Sequence, residues 1–146
     1  MALKFALLGL GQMGQKHLHV LKGNPNIKVF CVDPKISEEN YSHWKQAPHF
    51  DFAIVATPAD THYTLCKELL AAHKNVLIEK PFCLCPHEAR DLQKLAHKNQ
   101  VKLLVSHTEA YNPALLKLND FLTENPQERI QRIEICREGP TPIWAQ

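Results

Sequence analysis

Residues 3–14 read LKFALLGLGQMG, an apolar run followed by three glycines at the spacing G-x-G-x-x-G. The run is short, rich in branched residues and apolar on both faces, so it predicts a strand buried inside a sheet. The glycines then open a segment that is predicted to be a helix. A strand that passes through such a loop into a helix is the first unit of a doubly wound α/β fold.

Short apolar runs and amphipathic stretches alternate along the rest of the chain. Four further strands are predicted, at residues 28–32, 52–56, 76–78 and 101–105. The clearest helical patterns lie at 60–73 and 86–98, and another helix is expected after Pro113. A weaker pattern at 37–48 predicts a short helix or a loop. This order indicates a parallel sheet covered by helices on both faces, a Rossmann fold.

Composition narrows the class of protein. At 146 residues the chain suits one domain, and its 17 basic and 15 acidic residues are scattered. This distribution argues against nucleic acid or a membrane surface as a partner. The apolar run at 1–10 is too short to span a bilayer. Five cysteines without a secretory signal favour a reduced, cytoplasmic compartment, and no Cys/His set has the spacing of a metal site.

The last part of the chain has a different pattern. At 129–137, Ile133 and Ile135 alternate with Arg132 and Glu134, which predicts a strand with one buried face. Such a strand is typical of a second sheet. Its apolar face would be exposed in this chain, so we expect 129–137 to be a candidate surface for self-association.

Polar or special residues stand at the end of every strand predicted for the sheet. Because ligands of an open parallel sheet bind beyond the carboxyl ends of its strands, these residues are the candidate site. In chain order they are Gly9-Leu10-Gly11-Gln12-Met13-Gly14, Asp33, Thr57-Pro58, Glu79-Lys80-Pro81 and Ser106-His107.

The glycine loop predicts a dinucleotide site. Gly9 permits a tight turn, Gly11 lets the backbone approach a pyrophosphate, and Gly14 lets the helix pack closely on the sheet. Asp33, 19 residues after Gly14, would bond to ribose hydroxyls and repel a 2′-phosphate, which favours NAD over NADP. Lys35 leaves NADP open, because a basic residue nearby could accommodate the phosphate.

Two other interpretations of this loop stay open. The glycines and Asp33 could form a structural turn without a ligand. S-adenosylmethionine-dependent methyltransferases also pair a glycine-rich first loop with an acid after the second strand. Thr57-Pro58 and Lys80-Pro81 have no evident role in a methyltransferase, which counts against that alternative.

Lys80 is the candidate catalytic residue. Pro81 favours an extended backbone at Lys80 and so fixes the direction in which the side chain leaves the strand. A lysine at this edge of the sheet could transfer a proton. The alternative is a lysine that pairs with Glu79 or with a phosphate, and spacing does not separate these roles. His62 begins a helix at the same edge, where it could line the cofactor groove or support the helix end.

Five motifs together resemble the family of glucose–fructose oxidoreductase, inositol dehydrogenase and MocA, the Gfo/Idh/MocA family of NAD(P)-dependent sugar oxidoreductases. They are GLGQMGQKH, the acid Asp33, VATPADTHY, EKP and HTEAYNPAL. The H-x-E-x-Y-N-P-A form, with a later R-E-G-P, is most similar to the branch of UDP-N-acetylglucosamine 3-dehydrogenases.

The resemblance implies roles for individual residues. Lys80 corresponds to the active-site lysine, which helps to move the proton of a sugar hydroxyl as hydride passes to the nicotinamide. The residues implied to line the dinucleotide, besides the glycines and Asp33, are Gln12, Met13, Thr57, Pro58, His62, Glu79 and Asn112.

Members of this family continue into a second α/β domain with a D-x-x-x-H motif, most of the sugar pocket and the oligomer interface. This sequence holds no such motif. The resemblance therefore implies a dinucleotide-binding domain at 1–124, with 125–146 as a linker and the first strand of an absent or truncated substrate domain. The expected function is the NAD-binding half of a sugar or nucleotide-sugar oxidoreductase, incomplete alone. The alternative is a non-catalytic NAD-binding or interaction module.

Overall fold

Five parallel strands form one sheet in the first of two compact units, residues 1–107 and 108–146. The computed structural model describes residues 2–35 and 40–134. The strands are β1 (Leu3–Leu8), β2 (Ile27–Val32), β3 (Phe52–Val55), β4 (Asn75–Ile78) and β5 (Leu103–Val105), in the spatial order β2-β1-β3-β4-β5. The five strands predicted for this sheet are confirmed.

Helices flank the sheet, because the connection between two parallel strands has to cross from one end of the sheet to the other. In the first unit they are α1 (Gln12–Lys22), α2 (His62–Ala71) and α3 (Pro86–Lys98), with short 3-10 helices at Trp44–Gln46 and Ala59–Thr61. The second unit holds a 3-10 helix at Thr108–Tyr111 and α4 (Pro113–Glu124). This architecture confirms the predicted doubly wound α/β fold of the Rossmann type. None of the helices within the described ranges is long and apolar enough to cross a membrane.

Both faces of β1 are buried, which explains its unbroken apolar sequence. Ala6 and Leu8 belong to the core on one face, together with Leu69 of α2. Leu7 belongs to the core on the other face, together with Leu21 of α1. Alternate residues of one strand therefore pack against helices on opposite sides of the sheet.

The strand order changes direction at β1. The chain passes from β1 to β2 on one side of it, and then returns to β3 on the other side. The helices that follow β1 and β3 lie on opposite faces of the sheet, since α1 packs in one core and α2 in the other. This divergence leaves a crevice beyond the carboxyl ends of β1 and β3, where open α/β sheets bind their ligands.

The connection between β2 and β3 contains a short helix within 37–48, where a short helix or a loop was predicted, and residues 37–39 lie outside the described residues. Tyr41 forms a single parallel bridge with Val32, which extends the sheet beyond β2. A 3-10 helix follows at Trp44–Gln46, and the buried indole of Trp44 donates a hydrogen bond to Glu68 of α2. The described part of this connection is therefore a packed wall beside the end of β2.

The strand predicted at 129–137 is absent from the part of it that the structure describes. Residues 129–134 form neither helix nor strand, and 135–137 lie outside the described residues. A strand needs a neighbouring strand for its backbone hydrogen bonds. The alternation of apolar and polar residues does not show whether such a neighbour is present. Self-association through this segment and the domain division at 124/125 stay predictions.

Two glycines allow α1 to lie directly against the end of β1. Gly9 has a φ of +87°, and a Cβ there would stand 2.7 Å from the carbonyl oxygen of Ala56. A Cβ on Gly14 would stand 1.9 Å from the carbonyl oxygen of Gly9. Gly11 differs, because a Cβ there would meet no protein atom within 4 Å. This geometry supports the turn and packing roles predicted for Gly9 and Gly14.

We expect Gly14→Ala to destabilise the fold strongly, because a methyl group cannot fit against the Gly9 carbonyl unless α1 moves. The free energy of unfolding should fall by about 3 kcal/mol, at the upper end of typical overpacking effects. Gly11→Ala is the matched control and should change this free energy by less than about 1 kcal/mol. Urea unfolding followed by circular dichroism measures both, and equal losses would contradict this account of the loop.

Candidate functional site

The N-terminus of α1 forms one side of the site. α1 follows Gly11 without a side-chain cap, and its first turn carries no acidic residue. Gln12, Met13 and Gly14 therefore begin the helix with backbone N–H groups that the helix itself cannot satisfy. Such groups bind phosphate, assisted by the helix dipole. The open space at Gly11 leaves room for a phosphate to approach the backbone.

Asp33 joins the end of β2 to the glycine loop. Its Oδ2 accepts a hydrogen bond from the Leu10 N–H at 2.8 Å, and its Oδ1 accepts one from the Lys35 N–H at 2.9 Å. Each carboxylate oxygen keeps a lone pair for a further donor. The side chain is half-buried and lines a cavity, so Asp33 both holds the loop and offers an acceptor to a ligand.

This cavity has a volume of about 640 Å³ and lies beyond the carboxyl ends of β1, β2 and β3. A cavity of that size suits a small-molecule ligand. Six residues that the sequence singled out meet around it: Gly9, Gly11, Asp33, Lys35, Thr57 and Pro58. The structure therefore brings the glycine loop, the acid and the Thr57-Pro58 turn to one space.

Residues that the sequence analysis did not single out form another wall of the cavity. His43 and Trp44 come from the connection after β2, and Leu65 comes from α2. The rings of His43 and Trp44 stack with their centroids 5.8 Å apart. The sequence indicated a role for Trp44 only by its position, because it lies in the connection that follows Asp33 at the ligand-binding end of the sheet.

His62 lies beneath the site and does not line the cavity. His62 is buried, with only 1% of the residue exposed. Nδ1 stands 2.8 Å from the carbonyl oxygen of Pro81, and Nε2 stands 2.9 Å from that of Thr57. The ring thereby links the loops that follow β3 and β4. Of the two roles left open for His62, this geometry supports the structural one, and its contact with a dinucleotide stays a prediction.

β4 leads into a buried acid followed by an exposed base. Glu79 is 5% exposed, and its Oε1 accepts a hydrogen bond from Nε2 of His17 on α1 at 2.8 Å. Its Oε2 accepts one from the Lys80 N–H at 3.2 Å. The Lys80 side chain is exposed, and Glu79 pairs with His17 instead of with the Lys80 ammonium group. The contact between His17 and Glu79 was not predicted from the sequence.

The Glu79 carboxylate is stabilised in its ionised form. Burial by itself raises the pKa of this carboxyl group. Hydrogen bonds from His17, from the Ser106 side chain and from the Lys80 N–H outweigh that effect, so the pKa lies below its ordinary value of 4.5.

Asn112 belongs to the second unit, where it caps a helix. Its Oδ1 accepts a hydrogen bond from the Ala114 N–H at 3.0 Å at the start of α4. Its Nδ2 donates to Glu109 at 2.9 Å. Its contact with a dinucleotide stays a prediction.

A glycine loop, a free helix N-terminus and an acid after β2, gathered at the β1/β3 crevice, define a dinucleotide-binding Rossmann domain. A sequence model of the Gfo/Idh/MocA family, described as an oxidoreductase family with an NAD-binding Rossmann fold, matches residues 3–107. The chain belongs to this family, as its motifs indicated.

Known proteins of this kind are similar along most of the chain. Inositol 2-dehydrogenase of Rhizobium meliloti (strain 1021) is 23% identical over 97% of this chain and 47% of its own length. Galactose 1-dehydrogenase of Pseudomonas fluorescens is 27% identical over 97% of this chain and 50% of its own length. The solved structure of GenD2 from gentamicin A biosynthesis, in complex with NAD, is 27% identical with a TM-score of 0.75, over 86% of this chain and 40% of GenD2. The chain therefore spans about half the length, or less, of these relatives.

We expect Glu79→Gln to reduce the sensitivity of the fold to acid. Because the pKa of Glu79 is lowered in the folded protein, its stabilising effect is present above pH 4.5 and is lost as the pH falls through the folded-state value. The glutamine variant lacks this titration, so its free energy of unfolding should fall less steeply. Urea unfolding at steps from about pH 6 to about pH 3 measures this difference. Parallel profiles for the two proteins would contradict the expectation.

Proposed function

We propose that this chain binds NAD(H) and supplies the cofactor half of an oxidoreductase that acts on a hydroxyl group of a sugar, a nucleotide sugar or a related polyol. The observation that carries the proposal is Asp33, which lies beside the glycine loop and lines the cavity at the β1/β3 crevice. Family membership supports redox chemistry with a nicotinamide cofactor. Relatives named as inositol and galactose dehydrogenases support a hydroxyl substrate.

The described residues fit a dinucleotide. The N–H groups in the first turn of α1 would hold the pyrophosphate, and Gly11 leaves the room that this requires. Asp33 would accept hydrogen bonds from the adenosine ribose. The cavity wall with Trp44 and Leu65 would shield the adenosine moiety from water. When bound, NAD supplies the group that accepts or returns the hydride.

We further propose a preference for NAD over NADP. The carboxylate of Asp33 would repel a 2′-phosphate, and its orientation is fixed by the backbone N–H groups of Leu10 and Lys35. The side chain of Lys35 lines the same cavity, and its positive charge would permit weak binding of NADP. We expect NADH to bind at least about tenfold more tightly than NADPH, a difference of about 1.4 kcal/mol.

Lys80 is the proposed proton-transfer residue. Its side chain is exposed at the carboxyl edge of the sheet. The acid next to it in the sequence, Glu79, pairs with His17, so it does not neutralise the ammonium group. In its neutral form Lys80 would take the proton of a substrate hydroxyl as the hydride leaves the carbon atom. That step requires a sugar held at reacting distance, and we expect residues beyond those of this chain to hold it.

The second candidate function is a non-catalytic NAD-binding or interaction module. The observation that favours it is the second unit, where four apolar residues of α4 are exposed: Leu115, Leu116, Leu118 and Phe121. A panel of sugars and inositols incubated with this chain and NAD⁺ tests this second candidate. Formation of NADH by this chain with any of these compounds would exclude the non-catalytic function.

Energy transfer from Trp44 to NADH tests cofactor binding. In a Trp144→Phe background Trp44 is the single tryptophan, and it lies in the cavity wall. We expect saturable quenching of its emission by NADH. Asp33→Ala should weaken binding by about tenfold or more, because an acceptor for the ribose is lost. Asp33→Asn, which can still accept the Leu10 N–H, should lose less affinity and should narrow the difference between NADH and NADPH.

Lys80→Ala is the matched control for this titration. Since the proposed role of Lys80 is proton transfer, its removal should change the affinity for NADH by less than about threefold. Absence of saturable quenching, or an affinity that Asp33→Ala leaves unchanged, would contradict the proposed site. Displacement of NADH by S-adenosylmethionine at comparable concentration would favour the methyltransferase alternative.

A further inference from the structure

Three elements of the fold converge on the carboxylate of Glu79. His17 of α1 donates to Oε1, the backbone N–H of Lys80 donates to Oε2, and the side chain of Ser106, after β5, contributes to the lowered pKa of the carboxyl group. Backbone hydrogen bonds also hold Glu79 and Ser106 at the carboxyl edge of the sheet. The Glu79 N–H donates to the Val55 carbonyl at 2.9 Å, and the Ser106 N–H donates to the Ile78 carbonyl at 2.8 Å.

An acid at this position requires an explanation, because burial of a carboxylate is costly. Glu79 is 5% exposed and follows a strand whose Ile78 is fully buried. An apolar side chain of similar volume could fill such a position, and replacement of buried ion pairs by apolar residues is often neutral or stabilising. Stability alone therefore does not account for Glu79. Buried ionic groups are better explained where they fix one conformation among several.

We propose that Glu79, held by His17, is a positioning residue for Lys80. The carboxylate binds the N–H of the lysine itself, so it fixes the backbone from which the Lys80 side chain leaves. His17 lies on the same face of α1 as Gly14, three residues earlier, so its hydrogen bond links the acid to the helix that is proposed to bind phosphate. The direction of Lys80 is thereby tied to the helix proposed to hold the cofactor. This inference rests on the proposed function of Lys80 and assigns Glu79 to the lysine, where the family resemblance implies a contact with the dinucleotide.

The orientation of Lys80 can be measured without any cofactor. Reductive methylation with ¹³C-formaldehyde labels the lysine side chains and keeps their charge, and loss of one signal in Lys80→Arg assigns Lys80. We expect His17→Ala and Glu79→Leu, which removes both hydrogen bonds of the carboxylate, each to move the Lys80 methyl signal by more than its linewidth, towards its position in the urea-unfolded chain. His17→Gln, whose amide can still donate to Glu79, should restore the signal in large part.

Two controls separate positioning from a general loss of structure. His19→Ala makes the same substitution at an exposed site on the same helix and should leave the Lys80 signal unchanged. The signal of Lys67 reports the packing of α2 on α3, because its ammonium group bonds to Tyr63 and Asp91. It should stay in place in every variant.

Two results would overturn the inference. One is a Lys80 signal that moves in neither His17→Ala nor Glu79→Leu. The other is a shift of Lys80 that is always accompanied by Lys67, because that is the signature of a residue that only stabilises the fold. NADH titration of the same variants should give affinities within about threefold of the parent chain. A chain that binds no NADH would contradict the proposed function, whereas the Lys80 signal would still decide the role of Glu79.

Discussion

The approach of Gly14 to the carbonyl of Gly9 is the constraint on which the site depends. A Cβ at Gly14 would stand 1.9 Å from that oxygen, so only glycine lets α1 start directly against the end of β1. This position of α1 leaves its first N–H groups at the β1/β3 crevice. It also turns the helix so that His17, one turn further on, reaches Glu79. One backbone contact therefore sets the positions of both the helix end proposed to bind phosphate and the acid beside Lys80.

Acidic residues then connect the elements that this contact brings together. Asp33 holds the glycine loop through the Leu10 N–H and still has lone pairs for a ribose. Glu79 holds α1 through His17 and the backbone of Lys80. In both cases a carboxylate bonds to a backbone N–H beside the group that is proposed to act on a ligand. The family to which the chain belongs is one of NAD-binding oxidoreductases, and the geometry offers a physical reason for acids at these two strand ends.

Much of this arrangement could be predicted from the sequence, because it depends on local patterns. Buried parallel strands are continuous apolar runs, and the spacing of Gly9, Gly11 and Gly14 specifies the turn and the close packing. The contact between His17 and Glu79 could not be predicted, since it joins residues 62 positions apart through the packing of a helix on a sheet. The place of Trp44 in the cavity wall could not be predicted for a similar reason, because it depends on the tertiary contact with Glu68. The strand at 129–137 was predicted from alternation alone, and alternation does not provide a pairing partner.

Titration of the ¹⁵N-labelled chain with NAD⁺, followed by two-dimensional NMR of the backbone amides, tests whether the carboxyl edge between β1 and β3 is the cofactor site. We expect the largest shift changes on the amides of the glycine loop, on Asp33 and Lys35, and on Thr57 and Lys80. Changes concentrated at a different cavity, between α3 and β5 and lined by Phe82 and Arg90, would contradict this site, and so would an unchanged spectrum at millimolar NAD⁺.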